Sequence, residues 1–405
     1  MNKLALGLTL FTLATSVDHR RPEPEDCSTC RGEPATMARL KVESHGDFRF
    51  ARTDSKMVEE IFDDTDVYWI EGEHVKLGFA DVMFTMWPHN GGPPSGNTDD
   101  APRPNDRPMR SLANGALAYE PYARAHAYLE RAENLYTRIQ DVLRVEDSDF
   151  PKVNEYGKKL PFKDPDHPYM GEGPFLGQRA KYELLIMPGK VQYDAYAKSS
   201  DGLQNNGVNL QMIEDTDAIS VSLHLMDGSM WDDDGVTGYM LHHMTHAFLT
   251  GYKHNAYPTP VWIQEGLAHA LERENSPLYT SFCGTDVASE AGSKTNDWTG
   301  EMSEILRKRK KPYLESLLNK ASVHAFTYED HIMAWSMVRF FLEKHPDEFA
   351  ALNADLRGIG QGRRRIGMPQ VNVAHLNAFD KHLNMNYAKF DKDWSKWAKK
   401  QKARR

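Results

Sequence analysis

The sequence predicts an α+β fold, with mixed strands in the N-terminal half and a mainly helical C-terminal half. Short apolar runs of the strand type dominate up to residue 225, whereas apolar residues recur at helical spacing in most later segments. Stretches rich in Pro, Gly, Asn and Asp separate these runs. Hydrophobic residues make up 40% of the 405 residues, which is enough for one large two-lobed domain or for two domains.

The N-terminal half is predicted to hold strands and one long helix. Strand patterns lie at residues 48–50, 67–70, 75–86, 182–187, 207–213 and 218–225. Between them, Ala and Leu at helical spacing predict a helix over 119–145. A Pro- and Gly-rich insertion at 88–110 has little that can be buried, so we expect it at the surface. This order of elements favours α+β architecture over alternating βαβ units.

The C-terminal half is predicted to be helical almost throughout. A helix carrying several histidines follows an Asp-rich turn at 227–235. Later helices are predicted at residues 260–273, 300–308, 313–319, 328–344, 346–357 and 379–402. In the last of them, Trp394 and Trp397 are expected to pack inward while the basic residues face solvent.

The chain is therefore divided into four predicted parts. They are a signal peptide at 1–16, a polar linker at 17–40, an α+β lobe at 41–225 and a helical lobe at 226–405. The first part has the positive, apolar and small-residue regions of a secretory signal, so we expect an exported protein; the alternative is a frayed N-terminal helix of a cytosolic one. No later run approaches 18 apolar residues, which predicts a mature chain without an integral membrane segment.

Cysteine usage and charge restrict the classes of partner. Cys27 and Cys30 lie in a loop-like context, which leaves open a local disulfide or half of a small metal clip. Cys283 is expected to be a buried small apolar residue.

The net charge of −9 gives no overall electrostatic reason to bind nucleic acid. The sequence contains neither a Gly-x-x-x-x-Gly-Lys-Ser/Thr loop nor a Gly-x-Ser-x-Gly elbow, so nucleotide-dependent and serine-hydrolase functions have no support. The oligomeric state is not predictable.

The histidine-rich helix contains a pair with metal-ligand spacing. His242 and His246 stand four residues apart, which places both imidazoles on one helix face, where they can share a tetrahedral zinc ion. With 17 histidines in the chain, about 0.7 such pairs are expected by chance, so the pair alone is weak evidence. Glu265 follows His246 after 18 intervening residues, on the next predicted helix. Two His and one carboxylate leave a fourth position for water, as in catalytic zinc sites.

With these residues the sequence resembles the gluzincin, or peptidase-MA-like, zinc metallopeptidases. Their pattern is His-Glu-x-x-His, a spacer, and a Trp-x-x-Glu-Gly-x-Ala helix whose Glu is the third ligand. Trp262, Glu265, Gly266 and Ala268 match the second half, and the resemblance covers residues 218–342. It implies a zincin-like fold, a Zn²⁺ site of His242, His246 and Glu265 on two adjacent helices, and a peptide or protein as substrate or ligand. It also implies that the strand before the metal helix forms the edge of the cleft.

The first half of the pattern departs from the family at one position. The family has Glu directly after the first ligand, where it moves a proton between zinc-bound water and the leaving amine. This chain has His243 there, and beside a dication a protonated imidazole is disfavoured. His243 is therefore open to three interpretations: a residual base, a fourth ligand, or a hydrogen-bonded helix residue.

Four further side chains are candidates for the site. His269 and Glu272 lie one and two turns beyond Glu265, where they can orient the ligands or form an exposed helix face. In the resembled family a downstream Tyr or His stabilises the oxyanion, which makes Tyr328 and His331 candidates, Tyr328 being the one assigned here. The alternative for Tyr328 is packing on the core near a helix N-terminus.

Three hypotheses for function follow. The first is an exported, zinc-dependent metallopeptidase-like protein in which hydrolysis is doubtful because His243 replaces the catalytic Glu. The second is a non-catalytic relative that serves as a peptide- or protein-binding module. The third is an α+β protein whose histidines never meet a metal.

Overall fold

A computed structural model of the chain describes residues 49–50, 67–80, 121–150, 173–187, 193–194, 208–213, 218–224, 233–252, 259–277, 280–283, 296–308, 310, 312–358 and 367–401. The predicted signal peptide, the Cys27/Cys30 pair and the 88–110 insertion lie outside these ranges.

Within the described part of the chain, six strands form one mixed sheet. They are β1 Arg49–Phe50, β2 Val67–Glu71, β3 Val75–Ala80, β4 Tyr182–Met187, β5 Val208–Ile213 and β6 Ala218–His224, in the spatial order β1-β2-β3-β4-β6-β5. The pairs β3·β4 and β4·β6 are parallel, and the other three pairs are antiparallel. Every residue of β4 and β6 is buried, as is typical of parallel strands that are covered on both faces.

Nine α-helices lie within the described ranges. They are α1 Pro121–Leu143, α2 Asp233–Tyr252, α3 Val261–Asn275, α4 Trp298–Lys308, α5 Leu314–Leu318, α6 Tyr328–Lys344, α7 Pro346–Gly358, α8 Met368–Leu383 and α9 Tyr387–Ala398. The predicted α+β class is confirmed. Trp394 and Trp397 pack inward as predicted, because both are buried.

Two details of the sheet differ from the sequence predictions. The chain runs from β3 through α1 to the parallel neighbour β4, with Val75 opposite Tyr182, so one βαβ unit is present after all. In addition, β6, the strand before the histidine-rich helix, lies inside the sheet, and β5 is the end strand. Apolar periodicity identifies a strand but not its direction or neighbours, which long-range contacts decide.

The C-terminal helix predicted over 379–402 is wrong, because two helices occupy this region. Asn384 ends α8 in the left-handed conformation, with a φ of 48°, which breaks the helical path. Asn386 then begins α9 as its N-cap, accepting a hydrogen bond from the backbone N–H of Lys389.

One hydrophobic core joins the sheet and the helices. The Phe248 ring of α2 packs edge-on against Tyr136 of α1 and Tyr182 of β4, at centroid distances of 5.2 and 4.7 Å. These contacts fix α2 between the sheet and the other helices. None of the described helices combines the length and apolar character needed to cross a bilayer.

Candidate metal centre

Two neighbouring helices bring the predicted ligands together. His242 and His246 lie one turn apart on α2, and their Nε2 atoms are 3.1 Å from each other. On α3, Glu265 places Oε1 3.4 Å from Nε2 of His246 and Oε2 3.7 Å from Nε2 of His242. All three side chains are buried. The structure therefore meets the geometric condition for a shared metal ion.

The position of Glu265 depends on the close approach of α3 to α6. Gly266 faces α6 so closely that a Cβ atom there would lie 2.6 Å from the carbonyl oxygen of Ala334 and 2.6 Å from the side chain of Val338. Both contacts are shorter than van der Waals distance, so glycine is required for this helix spacing. The close contact between α3 and α6 consequently fixes the position of the adjacent Glu265.

A fourth donor completes the group. The Sγ atom of Cys283 lies 3.6 Å from Nε2 of His242 and 3.4 Å from Nε2 of His246. The sequence predicts only apolar packing for Cys283. In the structure, one donor atom from each of these two histidines, Glu265 and Cys283 lies within 4.8 Å of the others. Buried His and Glu side chains are thus arranged so that they can hold a metal ion.

Glu272 orients His242 by contacting the ring nitrogen that faces away from the other donors. Its Oε2 atom lies 3.3 Å from Nδ1 of His242, and its Oε1 atom accepts hydrogen bonds of 2.6 Å from both the backbone N–H and the hydroxyl of Ser281. When Glu272 is ionised it can only accept, so Nδ1 of His242 carries the proton and Nε2 turns its lone pair to the centre. This is the tautomer that a metal ligand needs. Of the two interpretations of Glu272, the structure supports the orienting one.

Two further groups of potential ligands overlap the first. His242, His269 and Glu272 form one, and Glu265, His269 and His331 form the other. His269 Nε2 and His331 Nδ1 are 2.9 Å apart, and His331 Nδ1 is 3.4 Å from Oε2 of Glu265. Because the three groups share members, they form one connected network. The group with Cys283 has the most donors.

Burial controls the ionisation of these side chains. Desolvation lowers the pKa of His242 and of His331 to about 3, and it lowers the pKa of His246 and of His269 well below the ordinary value. The imidazoles are therefore neutral at pH 7, as metal ligands must be.

Burial shifts the pKa of the carboxyl groups in the opposite direction. Burial raises the pKa of Glu265 and of Glu272 to about 8, even though hydrogen bonds from Cys283 and Ser281, respectively, lower it. Burial also raises the pKa of the Cys283 thiol well above its usual range. A bound cation reverses this tendency, because its charge favours carboxylate and thiolate. A cation bound at this site would thus be favoured by the carboxylate and thiolate groups that it keeps ionised.

His243, the residue in the position of the family's catalytic Glu, lies beside the centre. Its ring centroid is 5.0 Å from that of His242 and 6.0 Å from that of His246, and the residue is partly exposed. Burial of the ring, followed by the neighbouring histidines, lowers the pKa of His243 well below its usual value. Among the described residues, His243 belongs to none of the three donor groups, which gives no support to its interpretation as a fourth ligand.

Tyr328 and His331, the two oxyanion candidates, occupy different places. The Tyr328 hydroxyl donates to Oε1 of Glu301 at 3.2 Å, and its ring packs 6.0 Å from Phe282 and 6.2 Å from Trp298. His331 instead contacts Glu265 directly. The catalytic role assigned to Tyr328 stays a prediction, and His331 is the candidate that the fold brings to a ligand.

The resemblance to a family rests on the residues of α2 and α3 alone. No protein-family model and no curated protein sequence matches this chain.

Proposed function

We propose that the chain is a zinc-dependent, metallopeptidase-like protein of the gluzincin type, with His242, His246 and Glu265 as metal ligands and a peptide or protein as its partner. One observation carries the proposal: the buried Nε2 atoms of His242 and His246 are 3.1 Å apart, and the two carboxylate oxygens of Glu265 lie 3.4 and 3.7 Å from them. Donors about 2.0–2.2 Å from a tetrahedral zinc ion lie about 3.3–3.5 Å from one another, which agrees with this spacing.

The chemistry of the donors favours zinc over harder cations. Two imidazoles suit Zn²⁺, Cu²⁺, Ni²⁺ or Fe²⁺, whereas Mg²⁺ and Ca²⁺ prefer sites made of oxygen ligands. Zinc in such a site supplies Lewis-acid polarisation of a carbonyl group and activation of water. Glu272 contributes by fixing the His242 tautomer.

A zincin-like fold is part of the proposal. It is supported by the mixed sheet ahead of the histidine-rich helix and by the direct packing of α2 on α3. Gly266 supports it too, because the glycine that follows the third ligand in the family pattern allows the close helix contact seen here.

A non-catalytic binding module is the second candidate, and His243 is the observation that favours it. A general base works best when its pKa lies near the working pH, since it must both take up and release a proton. The pKa of His243 is held well below that range by burial and by the neighbouring imidazoles. Loss of an effective base costs about 10² to 10⁴ in rate, so a peptide-binding role is a direct alternative.

Metal content tests the shared part of both candidates. Purified protein reconstituted with zinc is expected to hold about one equivalent by elemental analysis. His246→Ala should lose it, whereas the control variant His382→Gln should keep it, since His382 pairs with Asp355 and belongs to none of the donor groups found among the described residues. Wild-type protein that binds no zinc would refute the proposal.

Peptide cleavage then separates the two candidates. Wild type, His243→Glu and Glu265→Ala are compared on a broad peptide library. Cleavage by wild type that disappears in Glu265→Ala establishes a peptidase. An inert wild type, with chelator-sensitive cleavage created by His243→Glu, establishes the binding module.

A further inference from the structure

Cys283 is held over the metal centre by its own short segment. The chain leaves α3, and at 280–283 Ser281 is fixed by its two hydrogen bonds to Glu272. The next residue, Phe282, packs its ring 5.3 Å from His269 and 5.1 Å from His331. These contacts place the thiol of Cys283 without any requirement for a bound ion.

The distances from the sulfur to the two histidine nitrogens fit those of one corner of a zinc tetrahedron. For a zinc–sulfur bond of about 2.3 Å and zinc–nitrogen bonds of about 2.0–2.1 Å, the sulfur lies about 3.5–3.6 Å from each nitrogen. Sγ of Cys283 is 3.6 Å from Nε2 of His242 and 3.4 Å from Nε2 of His246. The sulfur therefore lies at the separation from both histidine nitrogens that ligands sharing one zinc ion have.

A second observation indicates that this point is built for an ion. Oε2 of Glu265, a side chain only 2% exposed, has no hydrogen-bond partner among the described residues, although Nδ1 of His331 lies 3.4 Å away. A buried carboxylate oxygen without a partner is costly, and a cation at the centre would remove that cost. The sulfur and the unpartnered oxygen thus belong to the same pocket.

We propose that Cys283 is a fourth protein ligand, so that the resting metal site is a closed His₂-Glu-Cys centre. The inference rests on the proposed function for its other three ligands. Sites with four protein ligands leave no place for water, whereas catalytic sites keep one position open. Hydrolysis, or direct binding of a partner's carbonyl group to the metal, requires Cys283 to leave its corner.

Cobalt substitution gives a readout that does not depend on activity. The protein is prepared with Cys27→Ser and Cys30→Ser, so that Cys283 is the single remaining thiol of the three. After chelation and reloading with Co²⁺, we expect intense near-ultraviolet thiolate-to-cobalt charge-transfer absorption. In the added Cys283→Ser variant the band should vanish while one equivalent of cobalt still binds, with affinity reduced by at least about tenfold.

The outcomes separate this inference from the proposed function. One equivalent of cobalt without a sulfur band overturns the fourth-ligand assignment and leaves the three-ligand site standing. Absence of bound cobalt overturns both.

Thiol alkylation provides a measurement that does not need a Cys283 variant to fold. With Cys283 as the single thiol, zinc should slow its reaction with iodoacetamide at least about tenfold, and the added His246→Ala should abolish this protection. Equal rates with and without zinc in a zinc-loaded protein contradict the proposal.

Discussion

At the scale of single residues, Glu272 combines two tasks in one buried carboxyl group. One oxygen holds the Ser281 segment and the other faces Nδ1 of both His242 and His269, at 3.3 Å each. Outer partners of this kind set the tautomer and the orientation of a metal-bound imidazole. We therefore expect the metal affinity of the proposed site to depend on a residue that does not touch the metal.

Replacing this carboxyl group tests its contribution. Glu272→Gln keeps the shape of the side chain but replaces one carboxylate oxygen with an NH₂ group. That group cannot accept a hydrogen bond from His242. We expect zinc affinity to fall about 10- to 100-fold in a competition titration with a chromophoric chelator. Glu274→Gln is the matched control on the same helix, because Glu274 is exposed and pairs with Arg138. Unchanged affinity in Glu272→Gln would exclude the orienting role.

Outside the donor groups, His74 links the start of β3 to α1 through charge. Its Nδ1 and Nε2 atoms lie 2.7 and 2.8 Å from the carboxylates of Glu133 and Asp147. Burial lowers the pKa of His74, but the hydrogen bonds and charges of these two carboxylates outweigh burial and raise it to about 9. The imidazolium is therefore a structural cation at neutral pH.

The pH dependence of stability tests this cation. Because the folded pKa of His74 lies above the unfolded value of 6.5, its stabilisation is complete below pH 6.5 and is lost as the pH rises through about 9. His74→Gln should cost about 1–3 kcal/mol in chemical unfolding at pH 6, and the difference from wild type should shrink toward pH 9.5. His382→Gln, which removes a half-exposed pair with Asp355, should cost at most about 1 kcal/mol. A pH-independent difference for His74→Gln would contradict the assignment.

At the scale of elements, the contact between α3 and α6 sets the geometry of the centre. Gly266 allows the approach, and Glu265 and His331 reach each other across it. Two effects of opposite sign decide what Gly266→Ala does. Alanine favours the helix by about 1 kcal/mol, whereas overpacking a tight contact costs about 1–3 kcal/mol. With the carbonyl of Ala334 only 2.6 Å from the new Cβ, the steric cost should be the larger.

Gly266→Ala is therefore expected to destabilise the protein by about 1–2 kcal/mol in chemical unfolding and to weaken zinc binding by displacing Glu265. Gln264→Ala, at a half-exposed position two residues earlier, should change stability by no more than about 0.5 kcal/mol. A stabilised Gly266→Ala protein with normal zinc affinity would show that the helices can separate freely.

At the scale of the whole molecule, the interior encloses imidazoles and carboxyl groups that resist ionisation without a cation. A metal that binds only the folded state stabilises it by mass action, by about 4 kcal/mol when its free concentration is a thousand times Kd. Chelation should therefore lower the unfolding midpoint by several degrees in a thermal melt. Adding zinc back should restore it, except in His246→Ala.

The metal-free protein should also lose stability on both sides of a narrow pH range. The pKa of Glu265 and of Glu272 is raised to about 8, so their contribution is complete below about pH 4.5 and is lost as the pH rises through 8. The lowered pKa of His242 and of His331 acts in reverse, because stability is lost as the pH falls from 6.5 toward 3. Thermal melts of the chelated protein should peak near pH 5–6.5 and decline toward pH 8, and zinc should suppress that alkaline decline. A flat alkaline arm without metal would contradict the shifts.

The sequence by itself determined most of the elements, except the division into α8 and α9, and the three candidate ligands on α2 and α3. Most helices and strands end within a few residues of their predicted limits, because apolar periodicity and helix ends are local signals. The same local rule finds His242 and His246, since four residues always bring two side chains to one helix face. Glu265 was found through the pattern around Trp262.

Only the tertiary structure decided which residues from segments separated by loops come together. Cys283 and His331 reach the centre from segments with no fixed spacing to α2, so no periodicity could identify them. The parallel pairing of β3 with β4, and the place of β6 inside the sheet, depend on long-range hydrogen bonds in the same way. Local sequence specifies which face of an element is buried, but the choice of its neighbour is a property of the packed core as a whole.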